Sequence, residues 1–164
     1  MCHITNKNFE TVGPNPIKVY KVAVESIEHE EPFLLTGSSF FANHVWGFWN
    51  DSIFERRIKY NTIFTGSEIK LNSLMHDEVT YSYVDNEDIG PGYYHFFKTK
   101  EEASEFLKRI AIMRVFNKYS CPCILVGEIP VGELYNEGTF RFEGVEYASI
   151  VSKTVYYGGE IYYE

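Results

Sequence analysis

No stretch of this sequence approaches the ~18 consecutive apolar residues of a membrane-crossing helix, so no membrane partner is expected. Its polar start lacks the order of basic, apolar and small residues that makes a secretory signal. Basic residues are few: 15 Lys and Arg stand against 23 Asp and Glu, a formal net charge of −8. A chain of that sign is poorly suited to phosphate backbones, and no nucleic-acid partner is expected. Cysteine is scarce as well. Cys2, Cys121 and Cys123 form an odd set of 3, and the last two, one residue apart, would close a strained ring. That is no disulfide framework, and a reducing cytoplasm is the simpler compartment. Cys121 and Cys123 lack the second ligand pair of a zinc site. None of His3, His29, His44, His76 and His95 lies at tight ligand spacing to another, so no metal is expected.

The usual chemical signatures are also missing. There is no phosphate-cradling glycine loop ending in Lys-Ser/Thr and no Gly-x-Gly-x-x-Gly between strand and helix. His-Glu-x-x-His and Gly-x-Ser-x-Gly are absent too. Nucleotide hydrolysis, metalloproteolysis and hydrolase chemistry lose their support.

What the chain has is aromatic residues: 13 Tyr, 13 Phe and 2 Trp, or 17% of it. Tyr and Phe suit a pleated, half-buried surface, which tilts the expectation towards strands. With 164 residues the chain is long enough to bury a sizeable core as one domain, 1–164. Charge is unevenly spread: residues 68–88 and 119–164 each carry −5, while 98–118 carry +3.

That basic segment reads as a helix over about 100–118. Thr99 is a good N-cap and Glu102 completes a capping box. Ala103, Phe106, Leu107, Ile110 and Ala111 recur at three- and four-residue spacing, which makes one apolar stripe. Glu105 can pair with Lys108 or Arg109. The turn-forming Ser120-Cys121-Pro122 follows its end.

Strands are expected around it. Ile17–Val24 and Val79–Val84 alternate, and Tyr93–Phe97 follows the turn signal Gly90-Pro91-Gly92. Ile124–Ile129 is nearly uniformly apolar and stops at Pro130, which marks an inner strand. Thr139–Phe142, Val145–Val151, Thr154–Tyr157 and Glu160–Tyr163 follow, with Gly158-Gly159 as a two-residue hairpin turn. A short helix over Asp51–Tyr60 is the weakest of these readings. The fold class expected is α+β, an antiparallel or mixed sheet packed against one main helix.

Two segments draw functional interest. Residues 37–51 hold Trp46, Trp49, three phenylalanines and His44, residue types that dominate contact hot spots when exposed. Residues 90–103 make a turn, an aromatic strand and a capped helix. There Tyr93, His95 and Phe97 should point one way and Tyr94 and Phe96 the other.

Val-Tyr-Lys-Val (19–22), Gly-Tyr-Tyr-His-Phe (92–96), Glu-Ile-Pro-Val-Gly (128–132) and Glu-Tyr-Ala-Ser (146–149) resemble small proteins of bacteriophages and gut bacteria with no established activity. The resemblance implies a phage or mobile-element origin. Gly90-x-Gly-Tyr-Tyr before an Ala-containing helix is also similar to a strand of ADP-ribosyltransferase-like domains, where an aromatic packs on the nicotinamide of NAD. That pattern expects a His or Arg on the first strand, where Tyr20-Lys21 stand instead.

Two functional expectations result. The first is a non-enzymatic protein-binding module without cofactor, acting in the cytoplasm (the host's, if phage-encoded). Its partner would be a basic host protein, met through Tyr93, Tyr94, His95, Trp46 and Trp49. The alternative is an NAD-dependent ADP-ribosyltransferase-like enzyme. Tyr94 would then stack on nicotinamide, and Glu146, or failing that Glu128, would be the catalytic carboxylate.

Overall fold

The computed structural model describes residues 3–26, 33–36, 67–69, 71–76, 84–85, 88–89, 93–112, 120–142 and 144–163. The expected Asp51–Tyr60 helix, the 37–51 segment with Trp46 and Trp49, and Val79–Val84 apart from Val84 lie outside these residues.

The first strands are β1 (His3–Ile4), β2 (Glu10–Thr11), β3 (Ile17–Ser26), β4 (Phe33–Thr36), β5 (Ser67–Ile69) and β6 (Leu74–His76). After them come β7 (Val84–Asp85), β8 (Asp88–Ile89) and β9 (Tyr94–Phe97), then helix α1 (Lys100–Ile112). The chain closes with β10 (Ser120–Ile129), β11 (Leu134–Phe142), β12 (Val145–Ser152) and β13 (Thr154–Tyr163). All the strands join one 13-stranded sheet, whose main path is β6-β13-β10-β3-β9-β12-β11-β1-β8-β7. Each recorded pairing is antiparallel.

The expected α+β class is therefore overturned: the fold is mostly β. The physical reason lies in what fills the core. Val12, Val19, Ala23, Tyr94, Phe96, Cys123, Leu125, Ile129, Ile150, Val155 and Tyr157 form one apolar cluster, and none of them is helical. The sheet buries this face against its own strands. Helix α1 covers only a patch of the opposite face, where Phe106 meets the rings of Phe97, Phe140, Phe142 and Tyr147. No helix among the described residues is long and apolar enough to cross a membrane.

Local chemistry accounts for the helix and for two departures from expectation. Thr99 Oγ1 accepts the Glu102 amide at 3.2 Å, which satisfies one orphan donor of the first turn. The Glu102 carboxylate does not complete a capping box. It accepts the Ala148 amide at 2.8 Å instead, tying the helix start to β12. Arg109, rather than Lys108, pairs with Glu105.

Gly158-Gly159 is not a hairpin turn. Both halves of β13 pair with the same strand, Tyr157 with Gly127 and Ile161 with Leu125, so residues 158–160 bulge out of one continuous strand. Gly159, at φ +90°, supplies the left-handed backbone such a bulge needs. Ser120-Cys121-Pro122 likewise belongs to a strand. Pairing with β13 begins only at Cys123, so Pro122 sits where β10 has one neighbour.

Strand β9 is buried on both faces. Tyr94 and Phe96 join the aliphatic cluster, while His95 and Phe97 face the other way. Beneath it lies Lys21, fully buried, whose Nζ donates to the His95 carbonyl at 2.8 Å. Burial holds its amine well below the usual lysine range. The unfolded chain protonates this group more readily than the folded one. Stability should therefore fall as pH drops from about 10 towards the depressed folded value, and rise with pH across that window. In Lys21→Met that contribution disappears. Urea midpoints at pH 7 and pH 9 should show a larger alkaline gain in the parent, and equal gains would refute this account.

Candidate functional site

Strand β1 is only two residues long, yet four hydrogen-bonding groups fix it. Asn136 Nδ2 donates to the Lys7 carbonyl at 2.9 Å, which orients the amide. Its Oδ1 then faces His3 Nε2 at 2.8 Å and can only accept, so Nε2 carries the hydrogen. A neutral imidazole is left with a lone pair at Nδ1, and the Ser149 hydroxyl donates to it at 2.5 Å. The direction of every bond follows from the carbonyl of Lys7. His3, Asn136 and Ser149 are all buried. Thr5 Oγ1 adds a bond to the Glu137 carbonyl at 2.8 Å and accepts the Lys7 amide at 3.0 Å.

This Ser-His-Asn chain has the makings of nucleophilic catalysis, but its position argues for a structural role. Along β11 and β12 the pleat sends Gly138 and Ser149 to the face that carries His3. Glu137, Thr139 and Ala148 go to the other face, where they line a cavity of about 440 Å³. Ile4, Thr5, Asn6, Lys7 and Lys98 line it as well, and so do Gly138 and the buried Ser149. The relay thus holds the β1–β2 connection against β11 from behind, and the connection presents Thr5, Asn6 and Lys7 to the cavity.

At the cavity rim two ammonium groups converge on one oxygen. Lys7 Nζ lies 3.7 Å and Lys98 Nζ 3.5 Å from Glu137 Oε2. The three side chains are 63%, 49% and 32% exposed respectively, so screening keeps each pair weak. Among the described side chains, two cations stand against one anion at this rim.

The residues singled out in the sequence are scattered. Tyr93 is half-buried, its ring 5.4 Å from that of Phe9 and 5.1 Å from Lys153 Nζ. Tyr94 is 8% exposed, inside the aliphatic cluster. His95 is buried, with Nδ1 3.0 Å from the Tyr93 carbonyl and its ring 6.3 Å from that of His3. Glu146 is exposed and paired with Arg141 at 3.5 Å. Tyr94 is paired with Ser152, six positions along β12 from Glu146, which separates them by about 20 Å. Glu128 is exposed on β10, beside a smaller cavity of about 200 Å³ with Lys18, Tyr156 and Glu160. Strand β3 lies between β10 and β9, so neither carboxylate stands beside Tyr94.

Sequence reasoning missed Lys7, Lys98, Glu137 and the His3 relay. One signal was present. Gly138 lies inside a β-run, and a glycine there marks a close backbone approach. A β-carbon at this position would overlap the Ile4 carbonyl and come within 2.7 Å of two His3 ring atoms. Cys123 is buried and outside any disulfide, and among the described residues no group of three or more His, Cys, Asp or Glu is placed to hold a metal ion. No family model, curated protein or solved structure matches the chain.

Proposed function

We propose that this protein is a binding module whose ligand is a small anion seated in the Lys7–Lys98–Glu137 cavity. The convergence of both ammonium groups on a single oxygen carries the reading, because it marks a point where negative charge is stabilised from two sides. A cavity of about 440 Å³ is the size of a small-molecule site. The sequence-based expectation of a basic protein partner drew on the charge of the whole chain, whereas the described side chains of this rim set two cations against one anion.

The test is a thermal-shift and calorimetric panel of inorganic phosphate, a nucleoside monophosphate and NAD against the parent and a Lys7→Ala/Lys98→Ala variant. A ligand at a hundredfold excess over its Kd should stabilise the parent by about 2.7 kcal/mol and lose that effect in the double variant. Binding that survives both substitutions, or no binding of any anion, refutes the proposal.

ADP-ribosyl transfer from NAD is a second proposal, which rests on the resemblance of Gly90-x-Gly-Tyr-Tyr. Under this reading the carboxylate beside the ribose is Glu137, which lines the cavity, and not Glu146 or Glu128. Nicotinamide release in the NAD arm of the same panel decides it.

A further inference from the structure

We infer that Glu137 is a built-in competitor for the anion site and that the ligand group which displaces it is a phosphate dianion. This rests on the anion-binding reading above. Glu137 Oε2 occupies the point between Lys7 Nζ and Lys98 Nζ that a ligand oxygen must take. A carboxylate ligand entering there exchanges one monoanion for another and leaves the Glu137 charge beside it without its partners. The net electrostatic gain is close to nothing. A phosphate monoester, doubly charged above its second pKa of about 6, gains twice the attraction from the same two ammonium groups. Its tetrahedral oxygens also reach two cations at once. The internal carboxylate therefore sets a threshold that a monoanion barely meets and a dianion clears.

Among the described residues nothing else on the rim holds the Glu137 carboxylate. Its carboxylate is one-third exposed on strand β11, with the two lysines as its recorded ion-pair partners, so it can swing aside without disturbing the sheet. Its backbone carbonyl, held by Thr5 Oγ1, stays in place when the side chain moves. Replacing the carboxylate by an amide should therefore spare the fold and free both ammonium groups.

The experiment is calorimetric titration at pH 8 of the parent, Glu137→Gln and Lys7→Ala/Lys98→Ala with phenyl phosphate and with benzoate. Circular dichroism and melting curves serve as the check on folding. In the parent, phenyl phosphate should bind at least tenfold more tightly than benzoate. Glu137→Gln should tighten phenyl phosphate by roughly threefold to tenfold, the worth of two exposed ion pairs. It should tighten benzoate by a similar factor, because parting Glu137 from its two lysines costs the same whichever anion enters. The double lysine variant should bind neither. If Glu137→Gln weakens phenyl phosphate or leaves it unchanged, the competitor role is overturned while the anion site stands. Equal affinities in the parent overturn the dianion assignment. Binding of neither probe by the parent or by Glu137→Gln removes the anion-binding reading itself.

Discussion

Phe106→Ala is expected to cost about 3–5 kcal/mol of folding stability, the largest single effect in this fold outside the backbone. Phe106 has no exposed surface, and its ring lies 5.2 Å from Phe97, 5.2 Å from Phe142, 5.7 Å from Tyr147 and 5.8 Å from Phe140. The contacts to Phe140, Phe142 and Tyr147 are edge-to-face and the one to Phe97 is tilted, and they add to the burial itself. They attach α1 together with Ala103 and Leu107, the other helix residues buried among the described side chains. Truncation leaves a cavity between sheet and helix that four ring systems cannot close without losing their mutual geometry. Tyr147 makes matters worse. Its hydroxyl is buried with no hydrogen-bond partner among the described residues, and desolvation raises its pKa. Urea denaturation should give a midpoint far below that of the parent at similar slope. A loss below about 1 kcal/mol would mean that the helix is not attached through this ring.

Gly138→Ala is expected to be as damaging, although it adds only one methyl group. The added carbon meets backbone as well as a ring, namely the Ile4 carbonyl and His3 Cε1 and Nε2. The His3 ring cannot move aside without breaking the bonds to Asn136 and Ser149. Overpacking of this kind costs about 1–3 kcal/mol by strain alone, and two buried hydrogen bonds stand behind it. The variant should both melt earlier and lose anion binding, because the β1–β2 connection forms the cavity wall. His3→Ala in the same background separates the two effects, since it removes the ring while leaving the carbonyl clash. If Gly138→Ala melts with the parent and still binds, the close packing of β1 on β11 is wrong.

The helix was readable because its signals are local. Thr99, Ala103, Phe106 and Leu107 define cap and stripe within nine positions, and no distant partner is needed to see them. That clarity also misled the fold class, since one sharply marked helix outweighed many strands of two to four residues that carry no periodicity. Gly158-Gly159 shows the limit from another side. A tight turn and a bulge both call for a glycine at positive φ, and only the partner strand, β10, decides between them. His3-Ile4 has no local signature at all. Its pairing is decided by Thr139, Asn136 and Ser149, far along the chain. The candidate site was illegible for the same reason: Lys7, Lys98 and Glu137 converge through three separate strands and connections.

The relay that fixes β1 joins residues 133 and 146 positions apart, and that span sets a timetable for assembly. During synthesis at roughly 5–20 residues per second, His3 waits on the order of ten seconds for Ser149 to exist. The central hairpin β11–β12 can form from neighbours; the first strand can meet β8 earlier, but its pairing with β11 and the relay must close more than 130 residues. It should dock late, after the rest of the sheet has committed, and the cavity wall it brings is the last part of the molecule to appear. A growing or partly unfolded chain therefore has a sheet and no site, so ligand capture reports that β1 has met β11 and β12.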